Sequence, residues 1–147
     1  MATLAELPGL AGQRLGPTAW REMTQERVNA FAEVTEDRNY IHVDPERAKQ
    51  SPFGGTIAHG YLSVALLAPI SQELLSVDDA ATSVNYGMDR LRFPAPLPVG
   101  AAFRGAAEIG DVKEVRGGVQ VAMQLTVEVQ GSDKPALVAD CLYRYYA

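Results

Sequence analysis

One stretch of the chain, TEDRNYIHVDPERAKQSPFGGTIAHG from Thr35 to Gly60, holds both histidines together with a carboxylate and an amide close by. Asp37, Asn39 and His42 stand there in D-x-N-x-x-H order. An acid beside an imidazole suits a reaction that moves a proton to or from water, because the pair can hold the water and exchange protons near neutral pH. His59-Gly60 then opens an apolar run, so the Gly60 amide falls among the unpaired N–H groups of a helix start. Such a donor suits a carbonyl oxygen that becomes negative during a reaction. A plainer reading stands beside each residue. Asp37 and Asn39 also fit loop positions that bond nearby backbone N–H groups, with His42 anchoring the loop. His59 fits a helix cap or a satisfied core imidazole, and Gly60 a site of tight packing. Two histidines and a carboxylate also permit a metal site of facial-triad type; no close histidine spacing supports one, and no metal is expected.

The elements that must position these groups are short and well punctuated. Thr24 is a good N-cap, because its hydroxyl can accept from an orphan N–H, and Glu26 suits the positive end of the dipole. Val28, Phe31, Ala32 and Thr35 recur at helical spacing, so a helix is expected from Thr24 to about Thr35. Asp44-Pro45-Glu46 places a cap, a first-turn proline and an acid in the right order for a second short helix over 45–49. Asp37 to His42 is left as a loop between the two. Residues 1 to 16, with Gly9, Gly12, Gly16 and Pro8, read as an irregular arm, with a short strand near Ala19 to Met23. Tyr61 to Leu75 is apolar almost all round and is expected to be a helix buried on most sides. Pro69 inside it cannot donate to the Ala65 carbonyl, which predicts a kink or a division there.

The second half changes period. Val119, Val121, Met123, Leu125, Val127 and Val129 alternate with mostly polar residues, the pattern of a strand with one buried face. Turn signals at Arg116-Gly117-Gly118 and Gly131-Ser132-Asp133 separate it from strand-like Ala101 to Val115 and Ala136 to Tyr145, giving an antiparallel meander. Ser83 to Phe93 is a fourth strand. Its apolar phase moves from Val84, Tyr86 and Met88 to Leu91 and Phe93, which predicts a bulge near Gly87 to Arg90. Pro94 to Gly100 reads as an ordered connection. Helices first and an antiparallel sheet afterwards make an α+β chain whose sheet wraps the long apolar helix, the outline of a hotdog.

Composition narrows the function classes. The 147 residues carry a net charge of -5 and no basic stripe along any expected helix, which argues against a nucleic-acid partner. Residues 1–147 fit a single domain, since a chain of this length buries roughly two-thirds of its unfolded surface. The single cysteine, Cys141, falls in an expected strand and can form no intramolecular disulfide, which suits a reducing compartment, so a cytoplasmic location is expected. The N-terminal residues do not resemble a secretory signal. The apolar run Tyr61 to Ile70 is far shorter than the roughly 20 residues that span a bilayer, so no membrane association is expected.

The run TEDRNYIHVDPERAKQSPFGGTIAHGYLSVALLAPI closely resembles the signature of the MaoC-like, R-specific enoyl-CoA hydratases: D-x-N-x-x-H, a short helix, a glycine-bearing loop, then H-G at the start of the central helix. NYGMDRLRFPAPLPVG resembles the strand and connection that follow, so the likeness extends from about Met23 to the C-terminus. The resemblance implies a single hotdog domain, paired as a homodimer, that adds water to the double bond of a trans-2-enoyl thioester of coenzyme A. It carries a catalytic dyad onto Asp37 and His42, a loop-supporting amide onto Asn39, and the thioester-carbonyl donor onto the Gly60 N–H; His59, beside Gly60, is expected to support the site rather than to react. No cofactor is implied, coenzyme A being part of the substrate, and no P-loop or dinucleotide fingerprint is present. Two departures are visible. Tyr40 stands where the family commonly has proline, and Pro69 interrupts the central helix; neither removes a catalytic group. The alternatives are a hotdog acyl-CoA thioesterase, marked by thiol release from saturated acyl-CoA, and a non-catalytic acyl-thioester binding subunit, marked by binding without loss of the conjugated absorbance.

Overall fold

In the computed structural model, which describes residues 1–147, a 3-10 turn at Leu7–Leu10 leads into two short strands, β1 (Arg14–Leu15) and β2 (Arg21–Glu22), and then helix α1 (Gln25–Thr35). Next come α2 (Tyr40–Val43), α3 (Pro45–Ala48), α4 (Gly60–Ala65) and α5 (Leu67–Leu74). Four long strands complete the chain: β3 (Thr82–Arg92), β4 (Ala102–Val115), β5 (Gly118–Val129) and β6 (Leu137–Tyr146).

All the strands join one antiparallel sheet in the order β1-β4-β5-β6-β3, with β2 also paired to β4. The expected alternation in β5 holds: Val121, Met123, Leu125, Val127 and Val129 are buried. Opposite them Ile109 of β4 and Cys141 of β6 pair with Met123 and also point into the core. β3 is an edge strand, and its register on β6 shifts between Asn85 and Gly87 and again between Met88 and Arg90, where the change of apolar phase predicts a bulge. The buried face of the sheet carries α4 and α5, the hotdog arrangement. Gly105 in β4 lets α5 lie this close, because a side chain there would collide with buried Ile70.

Four expectations need correction. Residues 1–16 are not merely an irregular arm: Leu7 is fully buried and β1 pairs with β4, since backbone bonds from Gly12 to Ile109 and from Ile109 to Gln13 extend the sheet. Residues 40–43 are helical rather than loop, because the Asn39 side chain caps them. The central helix is two helices, divided at Leu66 rather than at Pro69. The displacement has a simple cause. A proline is tolerated in the first turn of a helix, where its missing N–H would have no partner, so the break falls ahead of Pro69 and puts it there. Nor is this pair of helices buried on most sides. Leu62, Ser63, Leu67, Ile70 and Ser71 face the sheet, while Tyr61, Ala65, Ala68, Pro69 and Gln72 are exposed.

Candidate active site

Helix α1 begins as the residues dictate, with the Thr24 hydroxyl accepting from the Arg27 N–H at 3.2 Å. It ends at Glu36, whose φ of 64° turns the chain sharply toward Asp37. This left-handed conformation costs a non-glycine residue roughly 1–2 kcal/mol, and here it aims the loop. Asn39 then starts α2, its Oδ1 accepting from the Ile41 N–H at 3.3 Å. Asp44 starts α3 in the same way, accepting from the Arg47 N–H at 3.0 Å. Tyr40 occupies the first position of α2, where proline would also fit, and lies beneath the Arg47 guanidinium at 4.0 Å.

His42 sits on α2 and is buried, with Nδ1 donating to the Ile57 carbonyl at 2.7 Å. A carbonyl has no proton to give, so Nδ1 carries the hydrogen and the neutral ring keeps its lone pair on Nε2. His59 lies against it, the two rings stacked at 3.9 Å between centroids and 25° between planes. Phe31 packs on the His59 ring at 4.9 Å. His59 Nε2 donates to the backbone carbonyl of Asp37 at 2.9 Å, while its Nδ1 is buried without a partner. The His59 side chain therefore does not cap α4; it holds the Asp37 loop and buttresses His42. The Asp37 carboxylate is exposed and accepts from the Asn39 N–H at 3.3 Å. One side-chain atom from each of Asp37, His42 and His59 lies within 4.8 Å of the other two. The fold thus brings together the carboxylate and the two imidazoles that lie apart along the chain.

Gly60 is the first residue of α4, where a backbone N–H has no intrahelical acceptor. It lines an apolar cavity of about 260 Å³ together with Ile57, Ser63, Phe93 and Leu97. The Phe93 ring lies directly over Gly60; a Cβ there would stand 3.0–3.2 Å from the ring. Asp37, His42 and His59 do not line this cavity. They stand next to it, joined to its wall through Ile57. Tyr40 and Pro69 are also absent from the wall. A larger hollow of about 440 Å³ lies over β1 and β4, bordered by Arg14, Arg104, Glu108 and Glu128, far from these groups and open to solvent.

Sequence reasoning missed the partners that hold the site. The Ile57 carbonyl, Thr56 and Ser63 carried no signal, and neither did Gln25, which looked like any first-turn residue. Only Phe93, an aromatic at the end of a strand and ahead of Pro94, could have been suspected.

Residues 7–131 match the MaoC like domain. The chain belongs to the MaoC-like dehydratase family. It is 44% identical to 3-hydroxyacyl-thioester dehydratase Z of Mycobacterium tuberculosis over 99% of its own length and 97% of the relative's. It is 38% identical to Nodulation protein N of Rhizobium meliloti, covering 94% of this chain and 88% of that one. Among solved structures it resembles the R-hydratase PhaJ1 of Pseudomonas aeruginosa in the unliganded form, with a TM-score of 0.76, 25% identity, and coverage of 98% and 85%. The α+β hotdog fold is thereby established for this MaoC-like chain. No helix is long and apolar enough to cross a membrane.

The charge state of His42 follows from its surroundings. Burial pulls its pKa below the ordinary 6.5; the Ile57 bond opposes this, the neighbouring His59 adds to it, and Asp37 opposes it. A base whose folded pKa is depressed must shed a proton on folding, so its contribution to stability is complete above pH 6.5 and declines as pH falls below it. An NMR titration of the His42 ring is expected to give a midpoint below 6.5, and Asp37→Asn, which removes the opposing charge, to lower it further. A midpoint above 6.5 would contradict this electrostatic account.

Proposed function

We propose that this chain is an R-specific enoyl-CoA hydratase, adding water to trans-2-enoyl-CoA to give (3R)-3-hydroxyacyl-CoA and catalysing the reverse dehydration. The observation that carries the reading is the pinned His42. Its Nδ1 is committed to the Ile57 carbonyl and its Nε2 is not, beside the Asp37 carboxylate and next to the cavity that Gly60 lines. The burial that keeps its pKa low leaves the imidazole neutral at pH 7 and able to accept a proton. Membership of the dehydratase family and the 44% identity to a 3-hydroxyacyl-thioester dehydratase support the reaction class.

In the proposed reaction Asp37 and His42 hold a water molecule and take its proton as its oxygen bonds to the β carbon. The π electrons move toward the thioester, whose carbonyl oxygen becomes negative and is met by the Gly60 N–H. A proton delivered to the α carbon completes the addition. Asn39 keeps α2 capped, and His59 keeps the Asp37 loop in place. No metal or other cofactor takes part. One nitrogen of each imidazole is already committed to a backbone carbonyl, His42 Nδ1 to Ile57 and His59 Nε2 to Asp37. Residues 1–147 act as one MaoC-like domain in the cytoplasm.

The chain works as a homodimer. β3 pairs on one side only, leaving 11 residues with an open edge, and Val84, Tyr86 and Tyr61 expose apolar surface near it. Long open edges invite pairing, and a second copy supplies it symmetrically. Light scattering at micromolar concentration is expected to give twice the 15.8 kDa chain mass; a fully active monomer would contradict this arrangement.

Two substitutions test the chemistry. Asp37→Asn and His42→Gln keep volume and hydrogen bonding, so both variants are expected to fold and to bind acyl-CoA. Each should lose roughly 10²–10⁴-fold in hydration rate, and the double variant should be little worse than the poorer single one, because the pair acts as a unit. Addition of a metal chelator should leave the parental rate unchanged. Folded single variants that hydrate enoyl-CoA at the parental rate would show that the site is misassigned.

A further inference from the structure

His42 is held by more than its bond to Ile57. Gln25, the first residue of α1, reaches across to α2 and donates from Nε2 to the His42 backbone carbonyl at 2.7 Å. Its second N–H goes to Asn29 Oδ1 at 2.9 Å. Its own Oε1 accepts from the Thr56 hydroxyl at 2.6 Å. Thr56 is buried and adjoins Ile57, whose carbonyl receives the His42 ring and whose N–H donates back to Ile41 at 3.0 Å. The result is a closed ring of hydrogen bonds through Gln25, His42 and the 56–57 segment. Every donor and acceptor of the Gln25 amide is used, which fixes the way that amide faces.

The ring is anchored to the sheet. Met23, two residues before Gln25, is fully buried and exchanges backbone bonds with Ala101 and Gly100 at 2.9 and 2.7 Å, immediately before β4. α2, by contrast, is only four residues long and has no stability of its own. A histidine on such a turn needs its backbone held from outside if its ring is to keep one orientation.

We propose that Gln25 is a positioning residue for His42, clamping the α2 backbone and the Thr56-Ile57 segment together so that the ring keeps its hydrogen on Nδ1 and its lone pair on Nε2. The proposal rests on the reading of His42 as a proton-transfer group, and it does not place Gln25 in contact with substrate. A half-buried glutamine with its bonds made adds little net stability, because each bond replaces one to water. Its effect is geometric, and displacements of about 1 Å near reacting atoms cost on the order of 10²-fold in rate.

The test uses Gln25→Met, which keeps length and removes all three bonds, and Thr56→Val, which keeps shape and removes one. Nitrogen-15 NMR of the His42 ring reports the tautomer directly, and steady-state kinetics with crotonyl-CoA separate kcat from KM. For Gln25→Met the expected result is a folded protein with mixed His42 tautomers and kcat reduced roughly 10- to 100-fold at little-changed KM. Thr56→Val should show the same changes to a smaller degree. A folded Gln25→Met protein with parental kcat, or with the Nδ1-protonated ring intact, overturns the proposal. If Gln25→Met does not fold, the same two readings on Thr56→Val decide. If the parental protein hydrates no enoyl thioester, the proposed function fails, and the ring spectrum alone still decides whether Gln25 holds His42.

Discussion

The hydrogen bond from His42 Nδ1 to the Ile57 carbonyl, 2.7 Å long, is the contact on which the arrangement of the candidate site depends. It joins two segments that would otherwise be independent, a four-residue helix and the irregular chain leading into α4. Helices this short are not stable alone in water. What holds them is a set of bonds between neighbours: Asn39 and Asp44 at their starts, His59 reaching back to the Asp37 carbonyl, and Ile57 on His42. The same bond selects the tautomer. With Nδ1 occupied, the only lone pair of the ring is on Nε2, and the protein has used backbone geometry to choose which nitrogen is left for chemistry.

Around this contact the fold provides a rigid support on one side and little cover on the other. The meander of β4, β5 and β6 presents a continuous apolar face, and Gly105 lets α5 settle on it closely. α4 and α5 turn one face to that sheet and leave Tyr61, Ala65 and Ala68 uncovered, on the same chain whose β3 edge is unpaired. An apolar helix and an open strand edge are costly to leave in water. They mark the surface that a partner copy would cover in the proposed dimer. The site and this surface meet at Gly60, beside Tyr61 and beneath Phe93.

Much of this was legible from the residues because it is locally encoded. The Thr24 and Asp44-Pro45 helix starts, the alternation in β5 and the bulge in β3 each depend on a few neighbouring side chains, and each is found. The D-x-N-x-x-H spacing identified Asp37 and His42 as one group, and the fold brings His59 to them. What was not legible depends on contacts between distant parts of the chain. α2 is too short to show a period and follows from one cap. The pairing of β1 with β4 joins Arg14 to Glu108, which no local pattern announces. The break at Leu66 depends on where a proline is tolerated, which shifts it one turn from the residue that causes it. Gln25 and Thr56 are 31 residues apart and meet only because α1 and the 56–57 segment both anchor to the start of β4 and the connection before it.

The central claim is that a pinned, neutral imidazole beside a carboxylate adds water to an enoyl thioester. It is tested most directly by mixing the purified protein with crotonyl-CoA, following the absorbance of the conjugated double bond, and analysing the chirality of the product. The account predicts loss of that absorbance without thiol release and a product that is the (3R)-3-hydroxyacyl thioester. Unchanged absorbance with tight binding, or release of free coenzyme A, would contradict it.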